Sequence, residues 1–302
     1  MNKDIQHIKQ HRIDTLKWDA CIEKANNGLI YGYTFYLNKM ARHWDGLVLN
    51  DYEAVMPLTW NRKYGIYYLY QPPFTASLGI FGNQLNAALI NDFIYAIPSR
   101  YRYWDIYLNH GNYYQVHGYQ FYDRMNYVLS LQGNYDSIYK RFSDNIKRNI
   151  KKAGQAGCVV RKDINLHDVI SLSQANTNAS KKDFLHLAQL YDYLYQNRKA
   201  VTYGVYSAAD QLVASAAFLF DNKRAYYILA GNHHNGKSIG ASHALINTFI
   251  KDHVQDDIQL DFEGSDISTL ANYYSSFGAT LEKYPGLMAN HLPLPLKWMK
   301  KN

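Results

Sequence analysis

Cysteine is scarce: two residues in a chain of 302. Cys21 and Cys158 lie far apart and belong to no spaced motif. That excludes a disulfide framework and a cysteine-built metal site, and it fits reduced thiols in the cytoplasm. No apolar run approaches the length needed to span a bilayer. The opening residues Met1–Arg12 are polar and lack the apolar core of a signal peptide, so a cytoplasmic protein with no transmembrane segment is expected. His233 and His234 are adjacent but have no third ligand at usable spacing, so no metal is expected. No Ser/His/Asp or Cys/His set stands out for nucleophilic catalysis.

Positive charge and tyrosine are what the chain has. Thirty-two Lys and Arg face 25 Asp and Glu, a formal net charge of +7. This favours an anionic partner, whether phosphate, CoA, nucleic acid or a polyanionic acceptor. The 29 tyrosines are spread along the whole chain, which reads as strand-rich composition rather than a base-stacking surface.

The most informative stretch is Lys223–Ser265. Ala225–Ala230 is a nearly unbroken apolar and aromatic run, the pattern of a strand buried on both faces. It ends in Gly231-Asn232, and a segment carrying Gly236 and Gly240 follows. Ala241, Ala244, Leu245, Thr248 and Phe249 then form one helical stripe. A short strand with Ile258, Leu260 and Phe262 comes next. A buried strand feeding a glycine loop and a helix N-terminus makes an anion site, because first-turn N–H groups are free there and the dipole adds positive potential. Lys237, Ser238, Gly240, Ala241 and Ser242 are therefore a candidate pyrophosphate cradle on an exposed loop. An ordinary strand-to-helix turn in which Gly240 relieves crowding fits the same residues.

Lys237-Ser-Ile-Gly240-Ala-Ser242 resembles the Gln/Arg-x-x-Gly-x-Gly/Ala loop of GNAT-family N-acetyltransferases, with Lys and Ser at the outer positions. Tyr274-Ser-Ser-Phe277-Gly278 resembles the Tyr-x-x-x-Gly that ends the following helix in that family. Tyr139–Ala153 and Leu260–Ser265 are similar to segments of the FemAB-type branch, which carries two such folds in tandem. The resemblance covers most of residues 130–285. It implies an α/β fold with α+β mixed sheets, built as two tandem GNAT-like acyl-CoA N-acyltransferase units.

The chain order agrees with a duplication. Gly46–Pro73 and Tyr203–Asn232 share strand, turn, strand, turn and aromatic strand, each followed by a loop, a helix and a strand. The expected division is 1–132, an acceptor-side unit with a degenerate donor site, and 133–302, a donor-binding unit. Pro72-Pro73 stands in the first copy where the second has its glycine segment, and proline removes N–H donors. Helices are expected at Tyr135–Ala156, Leu166–Asn176 and Lys182–Asn197, the last with Ser180 and Asp183 in capping-box form. On the first of these, Lys140, Arg141, Lys147, Arg148, Lys151 and Lys152 meet only Asp144 as counter-charge. A solvated face and an anion-binding face both fit, and Lys147, Arg148, Lys151 and Lys152 are the nucleic-acid candidates.

Acyl transfer to an amine needs a positioned donor, a base for the amine, N–H donors for the oxyanion and a proton for the leaving group. Gly231 and Asn232 end the central strand, where backbone N–H could meet the donor carbonyl. Gln259, Asp261 and Glu263 alternate against the apolar set on the next strand. Glu263, beside Gly264, is the expected base. A carboxylate favouring the next helix dipole is the rival role, which suits Asp266 better. Tyr274 could protonate the leaving group, or serve as a core tyrosine beside Tyr273. The expected function is transfer of an acyl group from acetyl-CoA or another acyl-CoA to an amine acceptor held between the two units. The resemblance also implies a rival, aminoacyl transfer from aminoacyl-tRNA to a cell-wall-type precursor. A binding protein that kept the fold and lost catalysis is the third reading.

Overall fold

The structure is a computed structural model that describes residues 4–114, 116–174, 177–264, 266–294 and 296–299. Along the chain come β1 (Ile5–Lys9), α1 (Thr15–Lys24), α2 (Thr34–Met40), β2 (Trp44–Leu49), β3 (Ala54–Lys63) and β4 (Ile66–Tyr70). β5 (Phe81–Gly82), α3 (Ala87–Tyr95), β6 (Tyr101–Tyr107) and β7 (Gln120–Ser130) follow. Next are α4 (Tyr135–Lys140), α5 (Asp144–Gln155), β8 (Val159–Lys162), α6 (Leu166–Ser173) and α7 (Lys181–Gln196). β9 (Ala200–Tyr206), β10 (Leu212–Phe220), β11 (Arg224–Asn232), α8 (His234–Ile239) and α9 (Ala241–His253) lead to β12 (Gln259–Asp261), α10 (Ser268–Ser275) and β13 (Thr280–Asn290).

The chain divides into two compact units, Met1–Arg124 with Lys283–Asn302, and Met125–Glu282. In the first, β2, β3 and β4 form an antiparallel meander. Helix α3 then crosses to β6, which pairs parallel to β4. In the second, β9, β10 and β11 repeat the meander, and α9 crosses to β12, parallel to β11. The duplicated plan is therefore real: meander, crossover helix, parallel strand, the connection that parallel pairing requires.

The outer strand of each plan comes from the other half of the sequence. β13 pairs with β6, from Gly286 opposite Tyr107 to Asn290 opposite Tyr103. β7 pairs with β12, from Gln259 opposite Ser130 to Asp261 opposite Val128. The bounds of these compact units differ from the expected 1–132 and 133–302. The last strand closes the first unit, and the strand at the end of the first repeat closes the second. β7 and β13 are each divided between the two units.

Each unit has its own core. In the first, Leu47, Met56, Ile90, Phe93 and Leu287 are buried together. In the second, Phe218 of β10 stacks on Phe249 of α9 at 3.8 Å, with Tyr203 edge-on to both. The buried positions of α9 are Ala241, Leu245, Ile246, Asn247, Phe249 and Ile250, so its inner face is turned from the expected stripe.

Caps set several helix starts. Ser180 and Asp183 form the expected capping box at α7, with Ser180 N donating to Asp183 Oδ2 at 2.8 Å. The helix expected over Tyr135–Ala156 is two helices. Ser143 caps α5 by accepting from Ile146 N, and the first-turn N–H groups it serves belong to a new helix, not a continuing one. Asn176, the expected end of the helix begun at Leu166, and Ser265 lie outside the described residues. Among the described residues, no helix is long and apolar enough to cross a membrane, and no group of three or more His, Cys, Asp or Glu could hold a metal ion.

Candidate active site

The site begins where two parallel strands part. β11 and β12 pair only from Arg224 opposite Gln259 to Tyr226 opposite Asp261. β11 continues to Asn232 with β10 as its partner. His233 N donates to Val213 O at 3.0 Å. Antiparallel ladders alternate, so Gly231 N–H also faces β10 and Asn232 N–H faces the side that β12 has left. Of the two expected backbone donors, only Asn232 is aimed at the opening. Gly231 serves packing instead: a Cβ there would lie 2.7 Å from the Leu172 carbonyl carbon of α6.

Glu263 and Tyr274 meet at this end of β12. Glu263 adopts a φ of +64°, a left-handed conformation uncommon for a non-glycine residue. Its N–H donates to Asp261 Oδ1 at 2.9 Å, which turns the chain directly after the strand. Tyr274 stacks on Phe262 at 4.6 Å. Burial, and then the Glu263 charge, push the Tyr274 hydroxyl up to about 12, so it keeps its proton at neutral pH. A carboxylate able to take a proton thus lies near a phenol able to give one. Asp261, on the same expected face as Glu263, does different work. It is buried and paired with Arg224 Nη1 at 2.7 Å, and Arg224 also forks onto both oxygens of Glu282 at 2.8 Å.

The cradle is not an exposed loop. Lys237 and Ser238 lie in α8, and Gly240 both ends α8 and begins α9 with φ +77°. Lys237 is exposed, while the Ser238 hydroxyl donates to Asn235 O at 2.9 Å. Gly240 and Ala241 are buried and Ser242 is half-buried. A Cβ on Gly240 would lie 2.4 Å from Asn149 O of α5, so glycine is needed for the helix corner and for its close approach to α5. His243 N and Ala244 N both donate to Gly240 O. The N–H groups of Ala241 and Ser242 start the helix and have no carbonyl one turn earlier within it. The anion-binding capacity therefore rests on a helix N-terminus with Lys237 one turn before it. Gly240→Ala is expected to cost about 2–4 kcal/mol, from the left-handed φ and the overlap with α5. Urea denaturation measures it, and parental stability would contradict this packing.

α5 brings its cations to the same corner through Asn149. Lys147 lies 5.7 Å over the Tyr139 ring and donates to Lys140 O, and Arg148 donates to Asn145 Oδ1. Lys151 and Lys152 are exposed, and no described carboxylate forms an ion pair with any of the four.

The sequence reading passed over His243. It lies on the first turn of α9 with its ring edge-on to Tyr273 at 5.1 Å. Burial pushes its pKa down to about 4, so the imidazole is neutral at neutral pH. His243 Nδ1 and Asn232 Oδ1 are buried without a hydrogen-bond partner, while the Tyr273 hydroxyl has the Ser242 side chain beside it. Buried polar atoms are normally satisfied, so these two orphans on neighbouring elements suit a ligand with polar atoms of its own. A histidine flanking an apolar stripe is the signal that was available. His233 and His234 are not a site: their rings pack at 4.1 Å, and His233 Nδ1 accepts from Asn235 N to cap α8.

No family model and no curated protein sequence matches the chain. Solved structures do. The chain is similar to FemX, with a TM-score of 0.68 at 12% identity over 98% of this chain and 100% of that one. The fold is that of the tandem GNAT proteins. A tandem GNAT protein from the clavulanic acid biosynthesis pathway matches with a TM-score of 0.55 at 9% identity, over 96% of this chain and 99% of that one. L-PGS from Bacillus licheniformis matches with a TM-score of 0.55 at 11% identity, over 95% of each chain. The parting of β11 and β12 occurs in the second unit; among the described residues between β4 and β6 of the first, no glycine joins two helices end to end. Pro72-Pro73 follows β4 directly.

Proposed function

We propose that the chain is an acyltransferase that moves an acyl group from a CoA thioester, such as acetyl-CoA, to an amine acceptor, with the donor held by the second unit. The observation that carries this reading is the parting of β11 and β12. It leaves Asn232 N–H without a β12 partner, and in this reading the α9 N-terminus, Glu263 and Tyr274 would border the acyl site. The donor carbonyl would take the Asn232 N–H, and the pyrophosphate would take the N–H groups of Ala241 and Ser242 with Lys237 nearby. Glu263 would receive the amine proton. Tyr274 would supply one to the departing thiolate.

Thermal denaturation with acetyl-CoA tests donor binding. A ligand that binds only the native state at 100 times its Kd adds about 2.7 kcal/mol and raises the melting temperature. No shift with acetyl-CoA or longer acyl-CoA would remove the thioester from the proposal.

The unpaired cations of α5 favour a second donor, an aminoacyl-tRNA. Replacing Lys147, Arg148, Lys151 and Lys152 together by Gln separates the two. With a CoA donor, acetyl-CoA affinity should barely change. With a tRNA donor, tRNA binding should weaken sharply and its salt dependence should flatten, because fewer counterions are released. Unchanged tRNA binding and salt slope would reject the tRNA donor.

A further inference from the structure

The first unit holds a cavity that the proposed chemistry does not use. Its volume is about 440 Å³, and Lys9, His11, Asn38, His43, Trp44 and Trp60 contribute to its lining. Asp45 also lines it, buried to 4% side-chain exposure. Around that carboxylate stand Arg100 Nη2 at 2.7 Å, His7 Nε2 at 3.0 Å, Tyr101 Oη at 3.2 Å and Lys9 Nζ at 3.3 Å. Burial would raise the Asp45 pKa, but the His7 hydrogen bond and the Lys9 charge outweigh it and hold the carboxyl well below its usual range.

Asp45 is thus a spent charge. Two permanent cations, Lys9 and Arg100, face one carboxylate, and Lys9 is also 41% exposed in the cavity wall. The remaining polar groups of the wall are chiefly donors. Trp60 Nε1–H is buried and has no hydrogen-bond partner. Leaving such a donor unmet is costly. Asn38 Oδ1 accepts from Gln10 Nε2 at 2.7 Å and from Trp44 Nε1 at 2.9 Å, which commits its oxygen and leaves the amide N–H₂ to donate. His43 lies stacked on Trp60 at 4.5 Å and holds the indole in place. Arg100 does not line the cavity but pairs with Asp45, which leaves the half-exposed Lys9 with charge to share; with the unmet Trp60 indole N–H, that suits a ligand rich in acceptors and negative charge. The volume lies in the range of small-molecule sites, about 300–1,000 Å³.

We propose that this cavity is a second ligand site that takes a small oxyanion-bearing molecule, a phosphate ester or a carboxylate. Its residues belong to the first unit, and the site stands whether or not the acyl-transfer reading holds.

The test uses the full chain labelled with ¹⁵N. The five tryptophans give separate indole N–H signals, and Trp60→Phe assigns the one concerned. Pyrophosphate and citrate are titrated separately to about 10 mM, a range that detects Kd values up to millimolar. The expected result is a saturable shift of the Trp60 indole signal with one of them, pyrophosphate for a phosphate site and citrate for a carboxylate site. Lys9→Gln removes one charge-assisted contact and should weaken that binding about tenfold or more, while Arg100 and His7 still serve Asp45. If Lys9→Gln loses its fold by circular dichroism, His43→Ala replaces it with the same expectation. No shift with either anion, or equal binding by the parent and the folded variant, would overturn the proposal and leave a water-filled cavity.

Discussion

Glu263→Gln is expected to lower kcat for acyl transfer by about 10²–10⁴-fold with little change in donor affinity. An ammonium acceptor is not nucleophilic until a group or water removes a proton. Glu263 follows β12 at the point where the strand has left β11, and its charge is felt by Tyr274. Glutamine keeps the length of the side chain and bears the same backbone strain at φ +64°, but it does not accept a proton at neutral pH. The N–H bond from residue 263 to Asp261 involves backbone and is retained. A fall in kcat without a rise in donor Kd would be the signature of an interaction made in the transition state. Tyr274→Phe should cost less, because a thiolate leaves well without full protonation. Steady-state kinetics with acetyl-CoA and an amine acceptor measure both. Parental turnover of Glu263→Gln would take Glu263 out of the mechanism and leave a water-mediated base or a non-catalytic protein of this fold.

Much of the fold could be read in the chain because its signals are local. The apolar run of β11 and the Ser180–Asp183 box each lie within a few residues and carry their own physics. The α4–α5 break was hidden because Phe142 and Ile146 continue the apolar stripe across it, and only the Ser143 cap reveals the new start. β1 and β8 were missed for another reason. They are short strands with mixed exposure, so alternation is weak in IQHIK and VVRK. The exchange of β7 and β13 was not legible at all, since period and turn chemistry identify a strand but not its neighbour. The site shows the same divide. Glu263 and Tyr274 were read from motif and position, and the Glu263 charge reaches the Tyr274 hydroxyl. The corner at Gly240 was read as a loop because Asn235, Gly236 and Gly240 are poor helix formers, yet His233 caps α8 and α5 packs over it. Asp261 looked equivalent to Glu263 because its partner Arg224 is 37 residues away.

That partnership leads to the largest expected loss of stability. Arg224→Met should destabilise the protein by about 3–5 kcal/mol, because it takes the cation from a buried ionic group and leaves the Asp261 carboxylate buried without it. Arg224 is 6% exposed and Asp261 is 3% exposed, so neither water nor salt screens the change. Asn126 Nδ2 lies 3.4 Å from Glu282 Oε1, too long a contact to replace a forked guanidinium. The consequence should reach the site. Asp261 Oδ1 accepts from Glu263 N, and a carboxylate freed from Arg224 has no reason to hold that backbone turn. Urea denaturation therefore should show a lower midpoint, and kinetics a lower kcat, in the same variant. A triple variant, Arg224→Met with Asp261→Leu and Glu282→Leu, separates the two effects. Replacing a whole buried ionic group by apolar side chains is often neutral or stabilising, so most of the lost stability should return. The kcat defect should persist, because leucine at 261 offers no acceptor to Glu263 N. If the single variant were as stable as the parent, the Arg224 network would contribute nothing to the fold. If the triple variant recovered full turnover, Asp261 would have no part in positioning Glu263.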